Sequence, residues 1–182
     1  CKKKLKKEFL LNSIKISKQD FPNIDLIPHF SILHEFKRNR INTLNSFIEF
    51  LKFVKNLGCK EVLLVSGSQK RSTLDAVKTL TYLKDCTLFS NRDFSIGVAF
   101  NPYLSGFIFK EEIVKLETKI KSGIVSSIWI QFGTDFKILE SRIKMLKQII
   151  ISFEKNNSKK SNINLYGSIL IPSQQFLTRF KY

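Results

Sequence analysis

Short apolar runs rich in β-forming residues alternate along this chain with longer stretches whose apolar residues recur every three to four positions. Five of these runs predict strands, at 24–33, 61–66, 94–100, 125–132 and 163–171. The run from Val62 to Val65 is apolar without interruption, which is typical of a parallel strand covered on both faces. Strands and helices in alternation predict an α/β fold with a parallel sheet.

Four stretches between the strands have helical periodicity. They predict helices at 43–57, from Ser72 onwards, at about 110–122, and from Asp135 onwards. Gly58 is a natural C′ residue for the first helix, and Asp135 a natural N-cap for the last. Ser72 is the expected cap of the second helix, with Asp75 in its first turn.

The spacing of the strands limits the number of possible architectures. Strand starts near 24, 61, 94, 125 and 163 give a unit of roughly 31–38 residues, close to one βα unit of a (β/α)₈ TIM-type barrel. Five strands cannot close such a barrel, so a complete doubly wound sheet and a part of a barrel both remain open. No Gly-rich turn follows the first strand, which counts against a nucleotide-binding doubly wound sheet but not against a flavodoxin-like one. Residues 1–182 are expected to form a single domain, with 1–22 as a basic N-terminal segment.

The net charge of +16 raises the question of nucleic-acid binding. However, 25 of the 31 basic residues are Lys, and they are scattered among helix-patterned residues. This distribution favours a solvated surface over a nucleic-acid groove, because net charge governs association and not fold.

Three cysteines without CxxC spacing predict neither a disulfide framework nor a zinc site, and favour a reducing, cytoplasmic compartment. The chain has no run of about 18 apolar residues, so the sequence predicts no membrane-spanning helix. The lysines of the run 2–7, with Cys1 in front of them, raise the alternative of a membrane-facing tail, and formation of a homo-oligomer is left open.

Ligands of parallel α/β sheets bind at the carboxyl ends of the strands, so the residues there are the candidate site. The set is polar but nearly uncharged: His29 and Ser31, Ser66–Ser68, Asn101–Tyr103, Gln131, and Pro172–Gln174. It contains no Ser/His/Asp order, no carboxylate pair and no metal-ligand spacing. Such residues suit hydrogen bonding to a large cofactor better than metal or nucleophilic chemistry.

Several segments resemble, in order and spacing over about 25–181, the methylenetetrahydrofolate reductase family of flavin-dependent TIM barrels. IPHFS at 27–31 resembles the family's VPHLT, and GCKEVLLVSG at 58–67 resembles its GIRNILALRGD. FSIGVAFNP at 94–102 resembles its FxIxVAxYP pattern, and SIL at 168–170 resembles its GILP. The most specific segment is LETKIKSGIVSSIWIQFGTD at 116–135, which resembles the family's LKxKxxAGAxxxITQFFFD.

The resemblance implies an oxidoreductase in which NAD(P)H reduces FAD and the flavin reduces 5,10-methylenetetrahydrofolate to 5-methyltetrahydrofolate. It places the family's proton-donating Glu before Cys1, which leaves no catalytic residue assigned within this chain. The flavin-contacting positions that it implies are His29, Ser66, Gly67, Ser68, Asn101, Ser105, Glu112 and Lys119. Gln131 takes the position that contacts folate and nicotinamide in turn. Trp129 is expected in the core.

Two departures from the family's pattern support alternatives. Its Arg-Gly-Asp becomes Ser66-Gly67-Ser68, and its Tyr-Pro-Glu-x-His becomes 101–105, NPYLS. The second hypothesis is therefore a folate-binding or methyl-transfer accessory protein without redox chemistry. The third, supported by charge alone, is a basic nucleic-acid-binding protein.

Overall fold

The structure is a computed structural model that describes residues 2–35, 39–66, 74–89, 94–157, 162–168 and 178. Helices and strands alternate in it as predicted. The elements are α1 (Lys2–Asp20), β1 (His29–Ser31), α2 (Ile32–Glu35), α3 (Arg40–Asn56), β2 (Glu61–Val65), α4 (Ala76–Leu83), a 3₁₀ turn (Thr87–Phe89), β3 (Ser95–Phe100), α5 (Gly106–Lys121), β4 (Val125–Ile130), α6 (Phe136–Asn157) and β5 (Asn164–Gly167).

The five strands form one parallel sheet in the order β1-β2-β3-β4-β5, with each strand hydrogen-bonded to the next in the chain. Right-handed crossovers that all run in one direction place the connecting helices on the same face of the sheet. A doubly wound sheet reverses its strand order and carries helices on both faces, so that alternative is wrong for this chain.

The core lies between the sheet and these helices. Its sheet side is built from alternate strand positions, namely Phe30, Val62, Leu64, Ile96, Val98, Phe100 and Ile128. Its helix side includes Phe47, Leu51 and Val54 of α3, with Leu116 and Ile120 of α5. The Phe30 and Phe47 rings, whose centroids are 4.5 Å apart, tie β1 to α3. Burial of these side chains supplies most of the favourable free energy of folding.

Two helix ends confirm the sequence analysis. Gly58 follows the C-cap of α3 with a φ of +79°, a conformation that glycine adopts without a steric penalty. The carboxylate of Asp135 accepts a hydrogen bond from the Ile138 amide at 2.9 Å, which makes it the N-cap of α6. The predicted cap Ser72 lies outside the described residues, and the N-cap of α4 is Asp75, bonded to the Lys78 amide.

Two predicted boundaries are wrong. The first strand spans only His29–Ser31, because Pro28 has no amide hydrogen with which to extend the ladder towards residue 24. Helix α5 begins at Gly106, four residues before the predicted start, with Ser105 as its N-cap. The basic segment 1–22, for which no element was predicted, contains helix α1, and Ile14 anchors this helix in the core.

The lysines that the sequence places among helical residues lie on outer surfaces. All but Lys55 of the set Lys52, Lys55, Lys78, Lys84, Lys115, Lys137, Lys144 and Lys147 are exposed. Within the described ranges, no helix has the length and apolar character needed to cross a membrane.

Candidate functional site

One row of side chains crosses all five strands on the face opposite the core. Register pairs His29 with Leu63, Leu63 with Gly97, Gly97 with Ser127, and Ser127 with Asn164. Because strand side chains alternate between faces, Glu61, Trp129 and Tyr166 lie on the same face as this row. We call this the open face, defined by His29, Glu61, Leu63, Gly97, Ser127, Trp129, Asn164 and Tyr166. His29, Asn164 and Tyr166 are exposed on it, while Glu61 and Trp129 are half-buried.

A directed chain of hydrogen bonds spans three strands of the open face. The Trp129 indole Nε1–H donates to Ser127 Oγ at 2.8 Å, and the Ser127 hydroxyl donates to Glu61 Oε1. Gly97 lies beneath the place where these groups meet. A Cβ added there would be 2.5 Å from Glu61 Oε1 and 2.6 Å from Ser127 Oγ, so glycine leaves the room in which the Glu61 side chain crosses β3.

Aromatic rings flank this chain of hydrogen bonds. The Trp129 ring meets His29 edge-on, with centroids 6.1 Å apart, and lies 4.7 Å from the Tyr166 ring at a tilt of 35°. Partial burial lowers the pKa of His29 and favours its neutral form. The expectation that Trp129 belongs to the core is wrong, because it stands one residue out of phase with Ile128 and therefore on the other face.

The candidate residues that follow β2, β3 and β4 line the carboxyl edge of the sheet. Ser66 Oγ accepts a hydrogen bond from the Ala76 amide at 2.9 Å, and Asn101 Oδ1 accepts one from the Tyr103 amide at 3.0 Å. Gln131 is joined to β3 through its backbone, whose N–H donates to Phe100 O, and its side chain is exposed. Gly67 and Ser68 lie outside the described residues.

Helix α5 carries the three remaining candidates. Ser105 is the exposed N-cap of the helix, and its hydroxyl makes no capping hydrogen bond. Glu112 Oε1 accepts a hydrogen bond from the backbone N–H of Asn101 at 3.4 Å. Lys119 is only 8% exposed, and its Nζ donates to Ala99 O at 3.1 Å.

The buried Lys119 is an electrostatic feature of the layer between sheet and helix. Burial lowers its pKa most, and the neighbouring Lys115 adds to that effect, while Glu112 and Asp75 act in the opposite direction. Its ammonium group therefore stabilises the end of β3 and faces away from the solvent side of the edge.

The predicted site residues thus divide into three places. Ser66, Asn101, Ser105 and Gln131 lie at or next to the carboxyl edge. His29 lies on the open face, and Glu112 and Lys119 lie beneath the edge on the helix side.

The sequence analysis missed Glu61, Ser127 and Tyr166. Ser127 and Trp129 are spaced i, i+2 in a strand, which by itself places them on one face. The contact of Ser127 with Glu61 joins positions 66 residues apart, and no local pattern in the sequence indicates it.

Two clefts within the described ranges lie away from these residues. One, of about 500 Å³, is between α5 and α6 and is lined by residues such as Ile120, Met145 and Phe153. The other, of about 730 Å³, is between α6 and β5. The described residues also contain no group of three or more His, Cys, Asp and Glu side chains placed to hold a metal ion.

Comparison with known proteins gives no relative from which a function could be transferred: no protein-family model matches the chain, and no curated protein matches it.

Proposed function

We propose that this protein is a flavin-binding oxidoreductase of the methylenetetrahydrofolate reductase type, and that its five strands form part of a (β/α)₈-type barrel. One observation carries the proposal. Four of the segments that resemble this family contain β1, β2, β3 and β4, and the sheet keeps these strands adjacent in chain order. Their carboxyl ends therefore share one edge, which is where parallel α/β sheets bind ligands.

The residues at this edge fit a flavin. They offer mostly neutral donors and acceptors: the Ser105 hydroxyl makes no capping hydrogen bond, and Asn101 is half-buried. His29 lies on the open face and not at this edge, so it is not assigned to the flavin here. When bound, a flavin supplies reversible hydride transfer.

Lys119 takes a different part from the one that the resemblance implies. Its Nζ bonds to Ala99 O beneath the edge, so it holds the end of β3 in place and does not reach out to a pyrophosphate. Gln131, exposed at the end of β4, is the residue that would face nicotinamide and folate in turn.

The burial of Lys119 favours a second candidate, a folate-binding accessory protein without redox chemistry. A pyrophosphate needs a cation or a cluster of backbone amides. The residue expected to supply the cation is engaged inside the layer between sheet and helix.

FAD titration of the full chain, followed by flavin fluorescence, tests the proposal. We expect saturable binding with a Kd of about 10 μM or tighter. Ser105→Ala removes a hydroxyl that makes no capping hydrogen bond and should weaken FAD binding, whereas Ser152→Ala, at an exposed serine on α6, should not.

Turnover is tested under anaerobic conditions with NADH and NADPH as reductants and methylenetetrahydrofolate as acceptor. Gln131→Ala should slow reoxidation of the flavin about tenfold, whereas Gln148→Ala on α6 should leave it unchanged. Folate binding without FAD binding would support the accessory protein. Binding of neither ligand would overturn the proposal.

A further inference from the structure

The open face is more polar than a face that packs against a second apolar layer. Its central row runs through His29, Leu63, Gly97, Ser127 and Asn164, in which only Leu63 has an apolar side chain of any size. A sheet face that meets another layer alternates apolar residues at these positions. The composition therefore points to contact with solvent or with a ligand.

Glu61 brings a carboxylate onto this face in a fixed position. The Ser127 hydroxyl holds its Oε1, and that hydroxyl is itself oriented by the Trp129 indole. Ser127 is fully buried, so water does not compete for its hydroxyl. Among the described residues, no Lys or Arg forms an ion pair with Glu61, and its second oxygen remains available as an acceptor.

The neighbours of this carboxylate are aromatic. Trp129 is two hydrogen bonds away from Glu61, and the rings of His29 and Tyr166 extend the surface on either side. A carboxylate beside π-electron faces is the combination that recognises an organic cation, through a charge-assisted hydrogen bond and a cation–π contact.

We propose that the open face binds a small planar organic cation, with Glu61 as its charge partner and Trp129 as its stacking surface. Glu61 and Trp129, which define this site, are not among the residues assigned to the flavin. The proposal therefore does not depend on the chain binding a flavin.

Trp129 makes a direct test practical, because it is the only tryptophan in the chain. The probe is benzamidinium, a planar aromatic cation, and its neutral counterpart is benzamide. We expect benzamidinium to change Trp129 emission saturably with a Kd of about 1 mM, and to shift the single indole N–H resonance. Benzamide should do neither. The net charge of +16 repels cations, so overall charge cannot produce this result.

Variants locate the effect. Glu61→Gln keeps an oxygen for the Ser127 hydroxyl and should weaken benzamidinium binding about tenfold. Glu140→Gln, which removes the same charge from an exposed position on α6, should bind as the parent does. If Glu61→Gln does not fold, the difference between benzamidinium and benzamide on the parent chain still tests the site. Equal binding of the two probes, no binding of benzamidinium, or full binding by folded Glu61→Gln would overturn the proposal.

Discussion

The two faces of the sheet perform different tasks with neighbouring residues. Leu64 and Ile128 point into the core, where Leu64 is 1% exposed and Ile128 0%. Their neighbours Leu63 and Trp129 point to the open face, where Leu63 lies beside Gly97 and Trp129 bonds to Ser127. The helix-covered face therefore stabilises the fold through apolar packing. The open face places polar and aromatic groups where a ligand could meet them.

Adjacent leucines on β2 give the largest expected difference. Leu64→Ala should lower the free energy of unfolding by about 3 kcal/mol, because it leaves a cavity among packed core side chains. Leu63→Ala should cost less, about 2 kcal/mol, because Leu63, although only 5% exposed, lies outside the main core cluster and beside Gly97, which has no side chain. Urea denaturation measures both. A loss for Leu63→Ala as large as that for Leu64→Ala would mean that both faces are packed cores.

Gly97 tests the crossing of β3 by the Glu61 side chain. Gly97→Ala should cost about 2 kcal/mol, because the new methyl group would overlap Glu61 Oε1 and Ser127 Oγ. The cost of Gly97→Ala should be smaller in a chain that already carries Ser127→Ala, because that change removes one of the overlapping atoms. Thermal denaturation of the single and double variants gives the comparison, and purely additive losses would contradict the described contact.

Much of the helix-covered face is predictable from the sequence, and little of the open face is. Apolar periodicity and local caps define the helices, so Gly58 and Asp135 were identified from the residues around them. The open face depends on contacts between distant segments, such as Glu61 with Ser127, which no local pattern encodes.

Burial of charge was the other point at which sequence reasoning failed. The chain has 25 lysines, and composition does not single out Lys119 as buried. A weak signal exists, because Lys119 lies seven residues after Glu112 and beside the inward-facing Leu116 and Ile120. Seven residues are about two helical turns, so the two charged side chains share one side of α5.

Lys119 gives a titratable probe of the helix-covered region. Burial lowers its pKa below the usual 10.5, so holding its charge in the folded protein costs free energy at pH 7. Lys119→Met should therefore leave stability unchanged or raise it by about 1 kcal/mol at pH 7.

This gain should shrink as the pH rises towards 10.5, because the native Lys119 then loses its proton before the unfolded chain does. Urea denaturation at pH 7 and pH 10, with the exposed Lys137→Met on α6 as control, tests this. A loss of about 2 kcal/mol or more at pH 7 would show that the bond to Ala99 O outweighs the cost of burial.

His29 gives the matching probe of the open face, with the smallest expected effect. Its lowered pKa means that the unfolded chain takes up the proton first as the pH falls. The contribution of neutral His29 to stability should be complete above pH 6.5 and decline below it, down to the lowered pKa of the folded protein. His29→Gln should flatten this part of the pH profile of unfolding, and an unchanged profile would contradict the partial burial of the ring.

The accessibility of Trp129 tests the difference between the two faces most directly, because a single tryptophan reports on one site. Acrylamide quenching of its fluorescence in the native chain should be readily measurable and intermediate between that of a buried and a free indole, with emission at the wavelength of a half-exposed ring. An indole that acrylamide does not reach, with emission typical of an apolar interior, would show that Trp129 lies in a packed layer and that the open face is not open.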